Sequence, residues 1–577
     1  MASSSLDTRL ATLLRSLYPD ADHAALVRAV RDAFWPEGSD LRRRARPPGN
    51  SLWSEDDALV ISYGNSIVDG VHKPLDLLHD FLKEHLADAV SGVHILPFFP
   101  FTSDEGFSVT DYRAVNASLG EWSDIRRIAG DFKLMSDLVL NHVSSQSVWF
   151  HEYLQSHPPY DRFFFEADPQ ADLSAVVRTR THPLLREVET ANGPKHVWCT
   201  FSHDQVDLNF ANPEVLLEFL RVLRLHIDNG VRIVRLDAVA FLWKEIGTSC
   251  IHMPQTHAIV RLMRLLLDYA PEGVVLLTET NVPNSENLTY FGNRNEAHVI
   301  YNFPLPPLIL HALLTGSSRH LNEWQMAMPP AQLGCTYLNF TASHDGIGLR
   351  PAEGLLDDAE TATMIDTVRG FGAMVSMRSM PEGERAYELN TTYFDALAGT
   401  TDGPDEWQTQ RFLCSQTIVM ALEGIPAFYI HALLATRNDH EGVRRTGQPR
   451  TINRYRWHYP DLQAALADEH DPHARVLAAL KARLAIRRRQ KAFHPNATQF
   501  TLQLGSAIFG FWRQSLDRDQ SIFALHNVSR HAIALPVASI NLIGGEAWVD
   551  LLSGESVDEA GTITFAPYQC RWITNRR

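Results

Sequence analysis

Four apolar segments of this sequence end in ionisable or amide side chains, the residue types that could do chemistry. The endings are Asp137, Asn141 and His142 in DLVLNH, Arg235 and Asp237 in VRIVRLDAVA, Glu279 in VVLLTET, and His344 and Asp345 in NFTASHD. Burying an unpaired charge is costly, so such endings need a reason. A carboxylate at any one of them could simply cap the next helix, but four such endings along the chain predict one shared site.

The residue types fit the retaining cleavage of a glycosidic bond. That reaction needs a carboxylate nucleophile and a second carboxyl group, ~5 Å away, that first donates and then accepts a proton. An arginine beside a carboxylate keeps it ionised, as the spacing of Arg235 and Asp237 allows. A further carboxylate can bind sugar hydroxyls and stabilise an oxocarbenium-like transition state.

The elements that must position these residues are predicted from the alternation of short β-branched apolar runs with helical patterns, which indicates an α/β fold with a parallel sheet. The candidate strands are 57–64, 92–99, 133–140, 231–239, 274–280, 298–304, 336–342 and 425–431. Eight strands are the number that a closed (β/α)8 TIM barrel requires, and in such barrels the active site lies at the carboxyl ends of the strands. The four polar endings would meet there.

The rest of the chain is assigned around this barrel. We expect barrel segments at 51–142, 211–345 and 425–494, an inserted subdomain at 143–210 and an acceptor-loop insertion at 346–424. Residues 5–35 carry leucines at helical spacing (Leu6, Leu10, Leu13, Leu14 and Leu17), which predicts a helical extension within 1–50. Short strands with turn residues between them predict a C-terminal antiparallel β domain at 495–577.

Composition excludes several classes of function. The net charge of −16, without a basic, aromatic-rich face, argues against nucleic-acid binding. We find neither a run of eighteen apolar residues nor a signal-peptide core, so no membrane association is expected. Five scattered cysteines predict no disulfide framework and a cytoplasmic location. Without HExxH or paired-histidine spacing, we predict no metal site and no cofactor, in a monomer or homodimer.

The four polar segments resemble the four conserved regions of the α-amylase superfamily. The resemblance implies that Asp237 is the nucleophile, Glu279 the general acid/base and Asp345 the stabiliser of the transition state. It also implies that Arg235, His142 and His344 bind the glucosyl group.

A narrower set of strings resembles the sucrose phosphorylase subfamily, and most closely its glucosylglycerate phosphorylases. The strings include RLDAVAFLWKEIGTSCIHMPQTH, FTSDEGF, TINR, TETNVPNSENLTYFG and YELNTTYFDAL. In that subfamily the residues matching Asp104 and Arg454 close the glucose subsite on its far side. The residue matching Phe107 packs beside the sugar ring, and Gln205 would line the site. The resemblance implies transfer of single glucosyl units to phosphate, with no cofactor and with phosphate as a substrate.

The sequence departs from sucrose phosphorylases where those enzymes contact fructose or phosphate. Phe241 replaces a tyrosine, Asn281 replaces a histidine two residues after the acid/base, and Arg385 and Glu388 replace an acid and a glutamine around Tyr387. Arg180 matches a phosphate-binding arginine of relatives. We therefore assign phosphate or acceptor binding to Arg180, Asn281, Arg385, Tyr387 and Glu388, although a solvated loop charge is the ordinary explanation for either arginine.

Several functions remain open at this point. The leading hypothesis is a phosphorylase that converts 2-O-α-D-glucosylglycerate and phosphate into α-D-glucose 1-phosphate and D-glycerate. The alternatives are a phosphorylase of sucrose, sucrose 6-phosphate or glucosylglycerol, an α-glucosidase or transglucosidase on the same site, and a catalytically inactive carbohydrate-binding barrel. The last is disfavoured because a binding module needs no complete set of Asp237, Glu279 and Asp345.

Overall fold

The structure is a computed structural model that describes residues 2–35, 52–380, 383–540, 542 and 546–576. The part of the predicted N-terminal extension at 36–50 lies outside these residues, as do Pro381 and Glu382 within the predicted acceptor-loop insertion.

Eight parallel strands close into a barrel in which the first strand pairs with both the second and the eighth. The strands are Leu59–Ser62, Gly92–Ile95, Lys133–Val139, Val231–Asp237, Val275–Thr278, Val299–Tyr301, Thr336–Asn339 and Ile425–Tyr429. Each lies within its predicted range, so the TIM barrel is confirmed. The strands are almost wholly buried, as expected when helices cover the outer face of a parallel barrel.

Helices follow the barrel strands and cover them. The longer ones, in chain order, are Pro74–Phe81, Trp122–Asp131, Pro213–Asp228, Pro254–Tyr269, Leu305–Thr315, Arg319–Ala327, Gln408–Ala421 and Pro472–Arg487. The helix Pro213–Asp228 shows why they begin where they do: Asn212 accepts a hydrogen bond from the Glu214 amide at 3.2 Å, and Pro213 occupies the first turn. Every helix of the described residues is too short or too polar to cross a membrane.

The N-terminal extension forms two helices, Ala2–Leu17 and His23–Phe34, where the leucine pattern predicts helix throughout 5–35. The break is set by Asp22, whose carboxylate accepts hydrogen bonds from the Ala24 and Ala25 amides at 3.0 Å and so starts a new helix. The two helices contact the barrel helices Pro254–Tyr269 and Pro213–Asp228, respectively. The extension is thus part of the outer layer of the barrel.

Two insertions rise above the carboxyl ends of the strands. The first contains the helix Val148–Leu154, the hairpin Leu185–Thr190 with Gly193–Trp198, and the paired strands His142–Ser144 and Gln205–Asp207. The second contains the helix Asp358–Gly370 and the hairpin Met374–Met380 with Gly383–Asn390. Both lie where the sequence predicts insertions, and the exact domain boundaries stay predictions.

The C-terminal region forms a six-stranded antiparallel sheet, as the short strands of its sequence predict. Its strands are Thr498–Leu502, Ile508–Gln514, Ser521–Asn527, Trp548–Asp550, Ser556–Val557 and Cys570–Thr574, and a separate pair joins Ile533–Pro536 to Thr562–Phe565. The five cysteines lie in the described residues, and no disulfide joins them.

Candidate active site

One pocket at the carboxyl ends of the barrel strands contains most of the predicted site residues. Those lining it are Asp104, Phe107, His142, Arg180, Gln205, Asp237, Glu279, Asn281, His344, Asp345 and Tyr387. Phe201, Ala238 and Arg450 complete the lining. The pocket has this composition because four barrel strands end in polar residues at the same edge.

Arg235, predicted to bind the glucosyl group, does not itself line this pocket but contacts the carboxylates of Asp237 and Glu279, which do. Its Nη1 donates to Asp237 Oδ1 at 2.6 Å and also contacts Asp137, and its Nη2 lies 3.8 Å from Glu279 Oε2. Asp137 is opposite Arg235 in the register of the third and fourth barrel strands. Asp137 also accepts from His94 Nε2 at 2.7 Å. The guanidinium is 3 % exposed, so these charge-assisted bonds form away from solvent.

Burial and mutual repulsion control the protonation of Asp237 and Glu279. Burial raises the pKa of Asp237, Arg235 opposes this effect, and the charge of Glu279 adds to it. Burial also raises the pKa of Glu279, and the charge of Arg235 again opposes this effect. Their mutual repulsion therefore favours a state in which only one of the two carboxyl groups is ionised. Because Asp237 contacts Arg235 directly and Glu279 does not, the charge belongs on Asp237 and the proton on Glu279.

Ala238 fixes the position of Glu279 relative to Asp237. Its backbone is left-handed, with φ of 48°, and its amide donates to Glu279 Oε2 at 3.0 Å. A left-handed conformation is unfavourable for a residue with a Cβ atom. A strained residue directly after Asp237 in the chain thus holds the Glu279 carboxyl group by a hydrogen bond, and such strain is typical of functional sites.

A second group of pocket residues forms a wall suited to sugar hydroxyls. Gln205 Nε2 lies 3.2 Å from His142 Nε2 and 3.3 Å from Asp104 Oδ2. The rings of Phe107 and His344 stack at 4.8 Å. Burial lowers the pKa of His142, and it lowers the pKa of His344 to about 3, so both rings are uncharged at neutral pH. They can exchange hydrogen bonds with hydroxyl groups without adding charge.

Arg454 does not line the pocket but supports this wall from behind. Its Nε donates to the His344 carbonyl at 2.9 Å, and its guanidinium lies over the Tyr63 ring. Its buried Nη2 has no hydrogen-bond partner among the described residues.

Asp345 is held by Arg450, a residue that the sequence analysis did not identify. Arg450 Nη1 lies 2.5 Å from Asp345 Oδ1, and its Nη2 lies 2.8 Å from Glu388 Oε2. Burial favours the neutral form of Asp345, but Arg450 and then His344 outweigh it, so the pKa of Asp345 falls below its usual range. The signal in the sequence was the arginine four residues before Arg454 in RTINR, which carried no periodicity to place it.

Glu388 is therefore the partner of Arg450 and is itself buried, outside the lining of the pocket. Its neighbour Tyr387 does line the pocket, as does Arg180. The Arg180 guanidinium lies 5.3 Å from the centre of the Tyr387 ring and 5.7 Å from that of Phe201. Among the described residues Arg180 has no carboxylate partner, and its Nη1 donates only to the neighbouring Thr179 carbonyl at 3.0 Å.

The structure does not bring Arg385 to the pocket. Arg385 lies nearer the tip of the hairpin, is 47 % exposed, and pairs with Asp358 at 2.7 Å. The predicted phosphate or acceptor contact of Arg385 is thus not present in this arrangement, whereas Arg180, Asn281 and Tyr387 are in place for one.

Comparisons with known proteins agree with this geometry. The family described as "Alpha amylase, catalytic domain" matches residues 68–345. A glucosylglycerate phosphorylase of Spirochaeta thermophila is 43% identical over 532 residues, covering 90% of each chain. Its Escherichia coli counterpart is 40% identical and covers 90% of this chain and 92% of its own. A sucrose phosphorylase of Bifidobacterium adolescentis is 28% identical over 79% of this chain and 89% of its own.

A solved structure also shares the fold. Sucrose 6F-phosphate phosphorylase of Thermoanaerobacter thermosaccharolyticum superposes with a TM-score of 0.71 at 24% identity, over 89% of this chain and 98% of that one.

Proposed function

The chain belongs to the α-amylase superfamily and, within it, to the glucosylglycerate phosphorylase family, and we propose that it cleaves 2-O-α-D-glucosylglycerate with inorganic phosphate. The products are α-D-glucose 1-phosphate and D-glycerate. The observation that carries this proposal is that one pocket joins the three carboxyl groups assigned to the reaction to an arginine, Arg180, without a carboxylate partner among the described residues.

In the first step Asp237 attacks the anomeric carbon as the bond to the glycerate oxygen breaks. Asp237 is suited to this role because Arg235 holds it in the ionised form. Glu279 gives its proton to the departing oxygen, since its raised pKa keeps that proton available at neutral pH. Asp345, ionised through Arg450, stabilises the positive charge that develops on the sugar ring.

In the second step an oxygen of hydrogen phosphate attacks the anomeric carbon, and the bond to Asp237 breaks. Glu279, now ionised, accepts the phosphate proton. Two inversions give net retention, so the product is the α-anomer. The same two carboxyl groups thus serve both half-reactions.

Both the leaving glycerate and the incoming phosphate are anions, and the pocket must bind them near the four carboxyl groups that line it. Arg450 is already neutralised by Asp345 and Glu388, whereas Arg180 is not paired. We therefore assign the anion contact to Arg180, assisted by Asn281 and Tyr387. A hydrogen bond to a charged group contributes about 1.5–3 kcal/mol, enough for ~10–100-fold discrimination against an uncharged analogue.

The opposite wall defines the glucosyl site. Asp104, Phe107, His142, Gln205 and His344 surround the space for one sugar ring, and Arg454 supports the wall. We propose that this closure restricts the enzyme to single glucosyl units and prevents the binding of starch.

The test is the reverse reaction, in which α-glucose 1-phosphate is offered with D-glycerate, glycerol, fructose or fructose 6-phosphate, and phosphate release is measured. We expect the highest kcat/KM with D-glycerate. A higher value with any of the other three would overturn the proposed substrate, and phosphate release that is independent of the acceptor would indicate hydrolysis instead.

We also place the enzyme in the cytoplasm. The absence of any disulfide among the five cysteines, all within the described residues, supports this assignment.

A further inference from the structure

A cluster of three potential metal ligands lies on the outer layer of the barrel, away from the active-site pocket. His311 lies on the helix Leu305–Thr315, His320 on Arg319–Ala327, and Glu360 on Asp358–Gly370. One ligand atom from each of the three residues falls within 4.8 Å of the other two. Of the described residues, these form the one group of three or more histidine, cysteine or acidic side chains with such spacing.

His311 is the member whose chemistry is otherwise unexplained. The residue is 5 % exposed, and its Nδ1 has no hydrogen-bond partner among the described residues. A buried polar atom without a partner is costly. Its ring lies 5.2 Å from the His320 ring, close enough for both to approach one ion.

 His320 and Glu360 face each other directly, and His320 Nε2 lies 2.7 Å from Glu360 Oε1. Each of the two side chains has one further polar neighbour. His320 Nδ1 lies 3.4 Å from Glu323 Oε2, and Glu360 Oε2 accepts from the Asp357 amide at 3.0 Å. A carboxylate behind a histidine is the arrangement that orients metal-ligating histidines in proteins.

We propose that His311, His320 and Glu360 bind a divalent transition-metal ion, with Zn²⁺ as the best match, and that water completes the coordination. Two imidazoles and one carboxylate suit zinc, copper or nickel better than magnesium or calcium, which prefer oxygen ligands. The ion would replace the proton between His320 Nε2 and Glu360 Oε1. To admit it, these two atoms would have to move apart by less than about 1 Å.

The position of the cluster gives the ion a structural role. His311 and His320 belong to the helices after the sixth barrel strand, whereas Glu360 belongs to the insertion that also carries Tyr387 and Glu388. Asp358, on the same helix as Glu360, pairs with Arg385 of the hairpin. A bound ion would therefore fasten the insertion above the active site to the barrel.

The experiment uses the full chain without a histidine tag, stripped with a chelator and titrated with ZnCl2 by calorimetry and thermal unfolding. We expect one equivalent of zinc to bind and to raise the Tm. His311→Gln, His320→Gln and Glu360→Gln should each weaken binding by about 10-fold or more. No saturable binding to the stripped wild type, or binding that these substitutions leave unchanged, would overturn the proposal.

His257→Gln is the matched control. His257 forms a similar buried pair, with Nδ1 2.7 Å from Glu296 Oε2, but Arg261 occupies the other carboxylate oxygen at 3.0 Å. This variant should bind zinc as the wild type does. In case a cluster variant fails to fold, X-ray absorption of zinc-loaded wild type gives an independent result: two imidazole ligands support the assignment, and any other number contradicts it.

Discussion

Asp237 and Glu279 have the same functional group and differ in their contacts with Arg235. The 2.6 Å bond from Arg235 to Asp237, against 3.8 Å to Glu279, places the negative charge on Asp237. Asp237→Asn should therefore lower kcat by ~10⁴-fold or more, because a neutral amide cannot replace the nucleophile. Steady-state rates and circular dichroism of the variant test this expectation. A folded variant with near-wild-type activity would show that Asp237 is not the nucleophile.

The protonated state of Glu279 leads to a second expectation. Glu279→Gln should be nearly inactive on glucosylglycerate but should retain much more activity on α-glucosyl fluoride, whose leaving group needs no proton. In the wild type, the rate of glucosylglycerate cleavage should fall as pH rises through the raised pKa of Glu279, since the acid loses its proton there. The rate of α-glucosyl fluoride cleavage should not fall over the same pH range. Equal losses on both donors would assign Glu279 another role.

Arg450 keeps Asp345 ionised and compensates the buried charge of Glu388. Arg450→Met should lower activity and move the acid limb of the pH profile to higher pH, because the pKa of Asp345 then rises. Adding Glu388→Gln removes the uncompensated charge, so the double variant should regain Tm but not activity. If Arg450→Met alone leaves the pH profile unchanged, Arg450 does not control the protonation of Asp345.

At the scale of elements, the strand ends were predictable and the loops were not. Apolar runs identify the eight strands, and the polar residues that end them follow directly, so Asp237, Glu279 and Asp345 could be placed in one site from sequence. Arg450 lies in a short 3-10 helix, Pro449–Asn453, and Arg385 on the hairpin strand Gly383–Asn390, and no hydrophobic periodicity in the sequence places either of them. The hairpin also contains a β-bulge: Ser376 pairs with Glu388 and Met377 with Ala386, which leaves Tyr387 as the extra residue at the pocket. Bulges re-aim side chains in this way.

The hairpin geometry separates the roles of two arginines that the sequence treats alike. Arg180→Ala should raise the KM for phosphate, and for glycerate in the reverse reaction, by about 10-fold or more, because it removes the unpaired guanidinium of the pocket. Arg385→Ala should change both constants by less than about 2-fold, since an exposed ion pair contributes little. Loss of the glycerate preference in Arg385→Ala alone would show that the hairpin folds inward when substrate binds.

At the scale of the whole molecule, buried arginines join the C-terminal sheet to the barrel. Arg513, on the strand Ile508–Gln514, is fully buried. It donates to the carbonyls of Ala421 at 2.6 Å, His494 at 2.8 Å and Ala497 at 3.3 Å. Ala421 ends the helix before the eighth barrel strand, so the bond to its carbonyl crosses from the C-terminal domain to the barrel. The sequence predicts both domains but not this contact, because an isolated arginine in a strand carries no signal of its partner.

Arg513→Met tests whether this contact stabilises the fold. Methionine fills much of the same volume but removes a donor from three carbonyl groups, of which, among the described residues, only that of His494 keeps another, the Ala497 amide. We therefore expect the free energy of unfolding to fall by about 2 kcal/mol or more, with a lower Tm. Arg576→Met is the control, since Arg576 forms an exposed pair with Asp519 at 3.1 Å and should change stability by less than about 1 kcal/mol. Urea unfolding followed by circular dichroism, together with activity at each urea concentration, gives both values. If the C-terminal sheet and the barrel unfold together in the wild type, Arg513→Met should lower the midpoint of both signals equally. An unchanged midpoint would mean that the two domains are held together by their apolar contacts alone.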